Sequence, residues 1–298
     1  MSTYLHLTGQ FHNHHTTTIM TNTSTNRLSI LSLVLIMAAA ACTPSESQTV
    51  MEGDWVELFN GENLDGWDVK TTGYDLNENY ANTVRVEDGL MKVRYDDYES
   101  FTGQFTHIFY EEPYSYYRLQ VEYRFVGEQA PDGPAWALRN NGIMFHSQSA
   151  SSMERDQDFP DSIEYQLLGG DGVNDRSNGN ICTPGTHVVV DGELITDHCI
   201  SADAPTQHGA QWVTAELVAH GNSKIQHLIN GELVMEYTNP QLDNGQQISG
   251  GYFALQGESH PTDIRSVKIL NLEGCMDESA SNYKDYYIKD DPYRCEYE

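Results

Sequence analysis

No long stretch of the chain carries a helical period. Short segments that alternate apolar and polar residues recur instead: WVELFN (55–60), VRVEDGLMKVRY (84–95), YRLQVEYRF (117–125), GIMFHS (142–147), SIEYQLL (162–168), WVTAELVAH (212–220), KIQHLI (224–229), ELVMEYT (232–238), GYFALQ (251–256) and IRSVKILNL (264–272). A period of two gives each segment one face for a core and one for solvent or a ligand, the signature of β-strands. Asp-Gly, Asn-Gly and Gly-Gly pairs punctuate them, and Asn230-Gly231 predicts a two-residue hairpin. Many short strands with frequent turn signals predict an all-β sandwich or jelly roll. Such a sheet buries one side against its partner and can hold an extended ligand on its concave side. At 298 residues, 39% of them hydrophobic, the chain is long enough for a substantial core.

The charge balance narrows the partners. Forty-four Asp and Glu against 16 Lys and Arg give a net charge of −28, a field that repels phosphate backbones and argues against nucleic acid. Near the N-terminus, Leu28–Ala41 (LSILSLVLIMAAAA) follows Arg27 and precedes Cys42. It is short for a membrane span but suits a signal peptide, and small residues before a cysteine match a bacterial lipoprotein signal with Cys42 as the lipidated residue. An ordinary secretory signal is the alternative. The His-rich start (FHNHH) fits no signal, so Met20 reads as the true start. This divides the chain into a signal region (1–42), a tether (43–53), a sandwich (54–273) and an acidic, Tyr-rich tail (274–298), exported and anchored by lipid in the cell envelope.

Without Cys42 four cysteines remain, in two local pairs. An oxidising compartment makes Cys182–Cys199 and Cys275–Cys295 the first choice of pairing, each closing a loop worth roughly 3 kcal/mol. The tail is too small for its own core and needs a disulfide, a metal ion or docking to order it. Its Asp277, Asp290 and Asp291 could ligate Ca²⁺, or be solvated acids.

Glu164 and Gln166 of SIEYQLL share the polar face of one predicted strand. By the same parity His146 and Met144 share a face of the neighbouring segment. A sandwich could therefore bring His146 and Glu164 together as a general base or a metal site. Retaining glycosidases need two carboxyl groups, yet the position two beyond Glu164 is an amide. The partner must come from another strand, or the chemistry must do without one. Further polar groups stand at His198, His227 and in LQGESHPTDIR (255–265), which carries Gln256, Glu258, His260 and Arg265. Four histidines with these acids could hold a divalent metal. Trp55, Trp67, Trp136 and Trp212 could stack on sugar rings or pack in the core.

These residues resemble the 3-keto-disaccharide hydrolase domain family. WVELFNGENLDGW (55–67), NNGIMFHSQ (140–148), SIEYQLLGG (162–170), NICTPGTHVVVDGELITDHCI (180–200), QWVTAELVAHG (211–221), IQHLINGELVMEY (225–237) and GYFALQGESHPTDIRSVKILNL (251–272) occur in the family's order. Asn141 stands where Ser is usual, and Ile264-Arg265-Ser266 where Phe-Arg-Asn is. The resemblance implies a concanavalin-like sandwich that cleaves glycosides already oxidised to a ketone at C3, by hydrolysis or lyase-type elimination, with a divalent metal. A C3 ketone acidifies the C2 hydrogen, so one base can start the reaction. On this reading Glu164, His146, Glu258 and His260 are catalytic candidates, with His146 and Glu164 as metal ligands. Gln166, Asn141, His227, Arg265 and Gln256 would bind substrate. A non-catalytic carbohydrate-binding module is the second reading, and a structural surface protein the third.

Overall fold

The computed structural model describes residues 53–298; the signal peptide, Cys42, the choice of start and nearly all of the tether lie outside them. Among the described residues there is no α-helix, only strands and four single 3₁₀ turns. Two antiparallel sheets form the sandwich. The seven-stranded sheet consists of β1 (Trp67–Thr71), β2 (Thr106–Tyr110), β3 (Asn140–Ser147), β4 (Ile163–Leu168), β5 (Asn180–Cys182), β6 (Cys199–Ile200) and β7 (Tyr252–Gly257), in spatial order β6-β5-β4-β3-β7-β2-β1. The ten-stranded sheet has Val213–His220, Tyr116–Phe125 and Thr262–Asn271 side by side at its centre.

Alternation decides what fills the space between the sheets. Ile163, Tyr165 and Leu167 from β4 and Ile143 and Phe145 from β3 meet Leu119, Val121, Leu217 and Val267 from the other sheet. Full burial of each such side chain contributes about 1.5–3 kcal/mol. The Asn230-Gly231 hairpin forms as predicted, with both residues at positive φ (51° and 86°), which these two residues tolerate best. β1 and β2 escape the alternation test. In Thr106–Tyr110 (THIFY) the face opposite Ile108 carries His107 and Phe109, and both residues are buried, so no polar face marks the strand.

Both disulfides form as expected, Cys182–Cys199 and Cys275–Cys295. The tail docks on the sandwich through Ile288 N to Leu272 O (2.9 Å), a Lys284–Asp54 ion pair (2.7 Å) and a two-strand pairing of Glu273–Gly274 with Lys289–Asp290. Its acids already accept from protein donors. Asp277 accepts from Ser279 and Tyr297, Asp290 from Met276 N, and Asp291 from Tyr293 N and Arg294.

Candidate active site

The outer face of the seven-stranded sheet, turned away from the core, gathers the chemistry. On β4 the residues between the core positions are Glu164 and Gln166. Register then lines up polar groups from strand to strand. Gln166 pairs with Gly142 of β3 and Asn180 of β5, and His107 of β2 pairs with Gln256 of β7 and Lys70 of β1. Leu255 opposite Ile143 sets Gln256 beside Gly142 and joins the two halves into one row. At its centre a Cβ on Gly142 would lie 2.6 Å from Glu164 Oε1 and 3.0 Å from Gln256 Oε1. The missing side chain is the space in which the carboxyl and the amide meet.

Glu258 reaches the same site from the turn that follows β7. Ser259 behind it sits at φ 89°, a strained value for a residue with a side chain. The turn is held there by Ser259 N donating to Tyr95 Oη (2.8 Å) and Gln129 Nε2 donating to Ser259 Oγ (2.9 Å). Glu164, Glu258, Gln166 and Asn140 line a pocket of about 470 Å³, closed by Trp136, Phe159, Arg176, Pro184, His198 and the Cys182–Cys199 disulfide. Cys182 is the cross-strand neighbour of Glu164, so the disulfide forms the wall beside the carboxyl.

Burial without partners sets the electrostatics. Glu164 and Glu258 are 5% and 3% exposed, and neither carboxyl has a hydrogen-bond or ion-pair partner among the described residues. Burial pushes Glu164 up to about 8. Glu258 is raised well above the ordinary carboxylate range, by burial first and then by the charge of Glu164. A buried pair of this kind retains a proton at neutral pH, which makes one acid and one base from two identical side chains. Asn140 Oδ1, both terminal atoms of Gln256 and both ring nitrogens of His107 are also buried and unpartnered. Each unmade bond costs about 1–3 kcal/mol, so their concentration on one face marks a place built for a ligand. Burial, with Lys70 beside it, lowers His107 to about 3 and keeps it neutral.

Several expected site residues lie elsewhere. His146 does not join Glu164. It adopts φ 46° where the β3–β7 register slips, which breaks the alternation and turns the ring inward. There its Nε2 bonds Gly221 O (2.9 Å) and the ring approaches Tyr117 of the opposite sheet (6.4 Å). The proposed His146–Glu164 metal pair is therefore not assembled. His227 is an interior residue of the ten-stranded sheet, stacked on Tyr165 at 3.8 Å and bonded to Gly179 O and Tyr237 Oη; burial lowers it to about 3. Asn141 has the core parity and donates to Thr262 Oγ1 (2.7 Å). Arg265 is on the exposed face of the ten-stranded sheet, paired with Glu122 and lying over Trp212. His260 sits beside the pocket, edge-on to Phe125, with both nitrogens free; burial and then Arg139 and Arg176 lower it to about 4.

Of the sequence candidates, the fold brings Glu164, Glu258, Gln256 and Gln166 together. Asn140, His107 and Arg176 are additions. Parity alone could have exchanged Asn141 for Asn140. Of the tryptophans only Trp136 lines the pocket: Trp67 is in the core, and Trp55 and Trp212 carry cations on the far sheet.

The fold is an antiparallel β-sandwich with a buried acid pair in a pocket on the outer face of one sheet. Residues 54–270 match the model of the 3-keto-alpha-glucoside-1,2-lyase-like domain, and the chain belongs to that family. At family level it is a glycoside-active enzyme. No curated protein matches it in sequence. Among solved structures it is similar to two glycosyl hydrolase candidates from Parabacteroides distasonis, at 16% identity and TM-score 0.47 (73% of this chain, 99% of that one) and at 17% and 0.46 (74% and 94%). It is also similar to the exoplasmic/lumenal domain of VIP36 in its Ca²⁺- and Man3GlcNAc-bound form, at 11% and 0.42 (72% and 88%).

Proposed function

We propose that the protein cleaves 3-keto-glycosides by elimination across C1 and C2, with the Glu164–Glu258 pair as its proton-transfer machinery. What supports the reading is that pair: two buried, unpartnered carboxyls in one pocket, both raised by burial and the second further by the charge of the first. Ionised Glu164 removes the C2 proton. The electrons of that bond flow toward the C3 carbonyl, giving an enolate that the unpartnered amide of Gln256 is suited to hydrogen-bond. Re-formation of the carbonyl drives a C1=C2 double bond and breaks the C1–O bond. Protonated Glu258 gives its proton to the departing oxygen. The step leaves Glu164 protonated and Glu258 ionised, and exchange with water resets them. Water added later across the double bond completes a net hydrolysis.

The family resemblance implies a divalent metal. Among the described residues no three His, Cys, Asp or Glu side chains gather around one point. The unpartnered oxygens at the pocket belong to Glu164, Glu258, Asn140 and Gln256, donors that would suit a hard cation, while His198 on the wall and His260 beside it add nitrogen donors. When bound, such an ion would polarise the ketone oxygen.

Glu164→Gln tests the reading. It should lower turnover of a 3-keto-glucoside by about 10²–10⁴ while preserving the fold and sugar binding; undiminished turnover removes Glu164 from the mechanism. The same assay judges the competing reading of a non-catalytic binding module, which predicts binding without turnover in the unaltered protein. Export and lipid anchoring belong to the same proposal, supported by the two disulfides. Cys42→Ser should move the protein from the membrane to the soluble fraction.

A further inference from the structure

The charge pairing of the arginines has one gap, and it lies at the pocket. Every other arginine among the described residues has a carboxylate within ion-pair distance. Arg139 and Arg176 have none, in a chain whose net charge is −28. The two are near enough for Arg139 to depress Arg176, and burial depresses both. Asp171, the acid whose charge reaches Arg176, places its oxygens on Val173 N, Asn174 N and Asn174 Nδ2. Leaving two half-buried cations side by side is costly unless something of opposite charge joins them.

Arg176 is also held in a fixed orientation. Its Nη1 donates to Leu138 O and Gly169 O, and its Nη2 to Trp136 O (3.4 Å). The Nε–H and one Nη2–H have no acceptor among the described residues, and the side chain lines the pocket. An arginine presents such N–H groups as a planar fork that matches a carboxylate. Trp136, whose carbonyl Arg176 grips, is 52% exposed on the pocket wall. Phe105 backs one face of its indole (5.9 Å between centroids, 26° between planes), leaving the other free to take a flat ring.

We propose that the pocket takes an acidic saccharide, with a sugar ring on Trp136 and its carboxylate on Arg176. This names the substrate class of the site proposed above and rests on that reading only for the location of the reacting ring. The selectivity itself is a binding property and is testable without turnover.

The test is calorimetric titration of the full chain with glucuronate, glucose and glucose 6-sulfate at low and high salt. Glucuronate should bind roughly 10-fold more tightly than glucose at low salt, as one charged hydrogen-bonded pair provides, and the advantage should shrink as salt rises. R176Q should remove the advantage, and R176K should keep only part of it. R139Q, which leaves the fork in place, should retain most of it, and thermal melting would confirm that each variant is folded. Equal binding of glucose and glucuronate by the unaltered protein overturns the proposal, as does a preference that survives R176Q. Tighter binding of the sulfate overturns the assignment to a carboxylate. Acid selectivity intact in a protein that never turns over a 3-keto-glycoside supports this inference and removes the elimination reaction.

Discussion

Two hollows among the described residues differ in kind, and the bigger of these two is not the chemical one. A cleft of about 640 Å³ runs between the sandwich and the tail, lined by Asp54, Glu112, Glu273 and the rings of Tyr110, Tyr114, Tyr286 and Tyr287. Asp54 is paired with Lys284, and Glu112 accepts from Tyr114 Oη (3.1 Å). The pocket of about 470 Å³ holds Glu164 and Glu258 with no such partners. In the cleft, Lys284 holds the neighbouring Asp54 below the ordinary carboxylate range. In the pocket, desolvation holds Glu164 and Glu258 above it. Stored proton affinity, rather than volume, separates a reaction site from a docking crease.

The largest expected difference between the two is in turnover. Glu164→Gln should lower kcat/KM on a 3-keto-glycoside by about 10²–10⁴, the usual worth of a positioned base. Glu112→Gln in the cleft should leave it within about twofold. An equal loss from both would end the contrast. The pH dependence sharpens it. Turnover should rise as pH approaches 8, where Glu164 ionises, and fall at higher pH as Glu258 loses its proton. Stability should move the other way. The ordinary value of the carboxyl is 4.5 and the folded value is about 8, so between them the folded protein holds a proton that the unfolded chain has lost. Stability is then full below 4.5 and declines as pH rises to 8. Glu164→Gln should flatten that decline and melt higher than the unaltered protein at pH 8. A lower melting temperature there would show that Glu164 is not destabilised by burial. Gly142→Ala comes next. Its methyl group falls on Glu164 and Gln256, and should lower turnover about 10-fold and stability by about 1–3 kcal/mol. An unchanged enzyme would mean that the two side chains do not meet over Gly142.

The sandwich and much of the site were legible in the sequence because alternation encodes both core and outer face. Parity put Glu164 and Gln166 on one polar face, while the arrival of Gln256 and Glu258 beside them depends on strand order, which alternation does not encode. It failed where the backbone departs from a regular strand. His146 has the right parity by count, but a single residue at φ 46° reverses it. His227 fails for another reason: its face is the core, and a histidine there looks polar only until Tyr165 and Tyr237 are seen to enclose it. His107 was invisible because both faces of its strand are buried. Arg176 lies on a loop, where no periodicity speaks for it.

The disulfides give the finest test of the comparison, because each lies in one of the two regions. They close loops of similar length, 17 and 20 residues apart in sequence, so loop-closure entropy makes them nearly equal in stability, about 3 kcal/mol each. Their effects on turnover should differ. Cys275–Cys295 orders the tail beside the cleft, and replacing both cysteines by serine should lower the melting temperature with kcat/KM unchanged. Cys182–Cys199 is the wall next to Glu164 and closes the loop that presents Pro184 and His198 to the pocket. Its loss should admit water to the carboxyl, bring the ionisation of Glu164 below 8 and reduce kcat/KM a few-fold. The pH profile decides: an acid-side rising limb that shifts to lower pH for the Cys182/Cys199 pair and stays in place for the tail pair ties the proton affinity to the enclosed pocket. Matching shifts in both would trace the effect to general loosening of the fold.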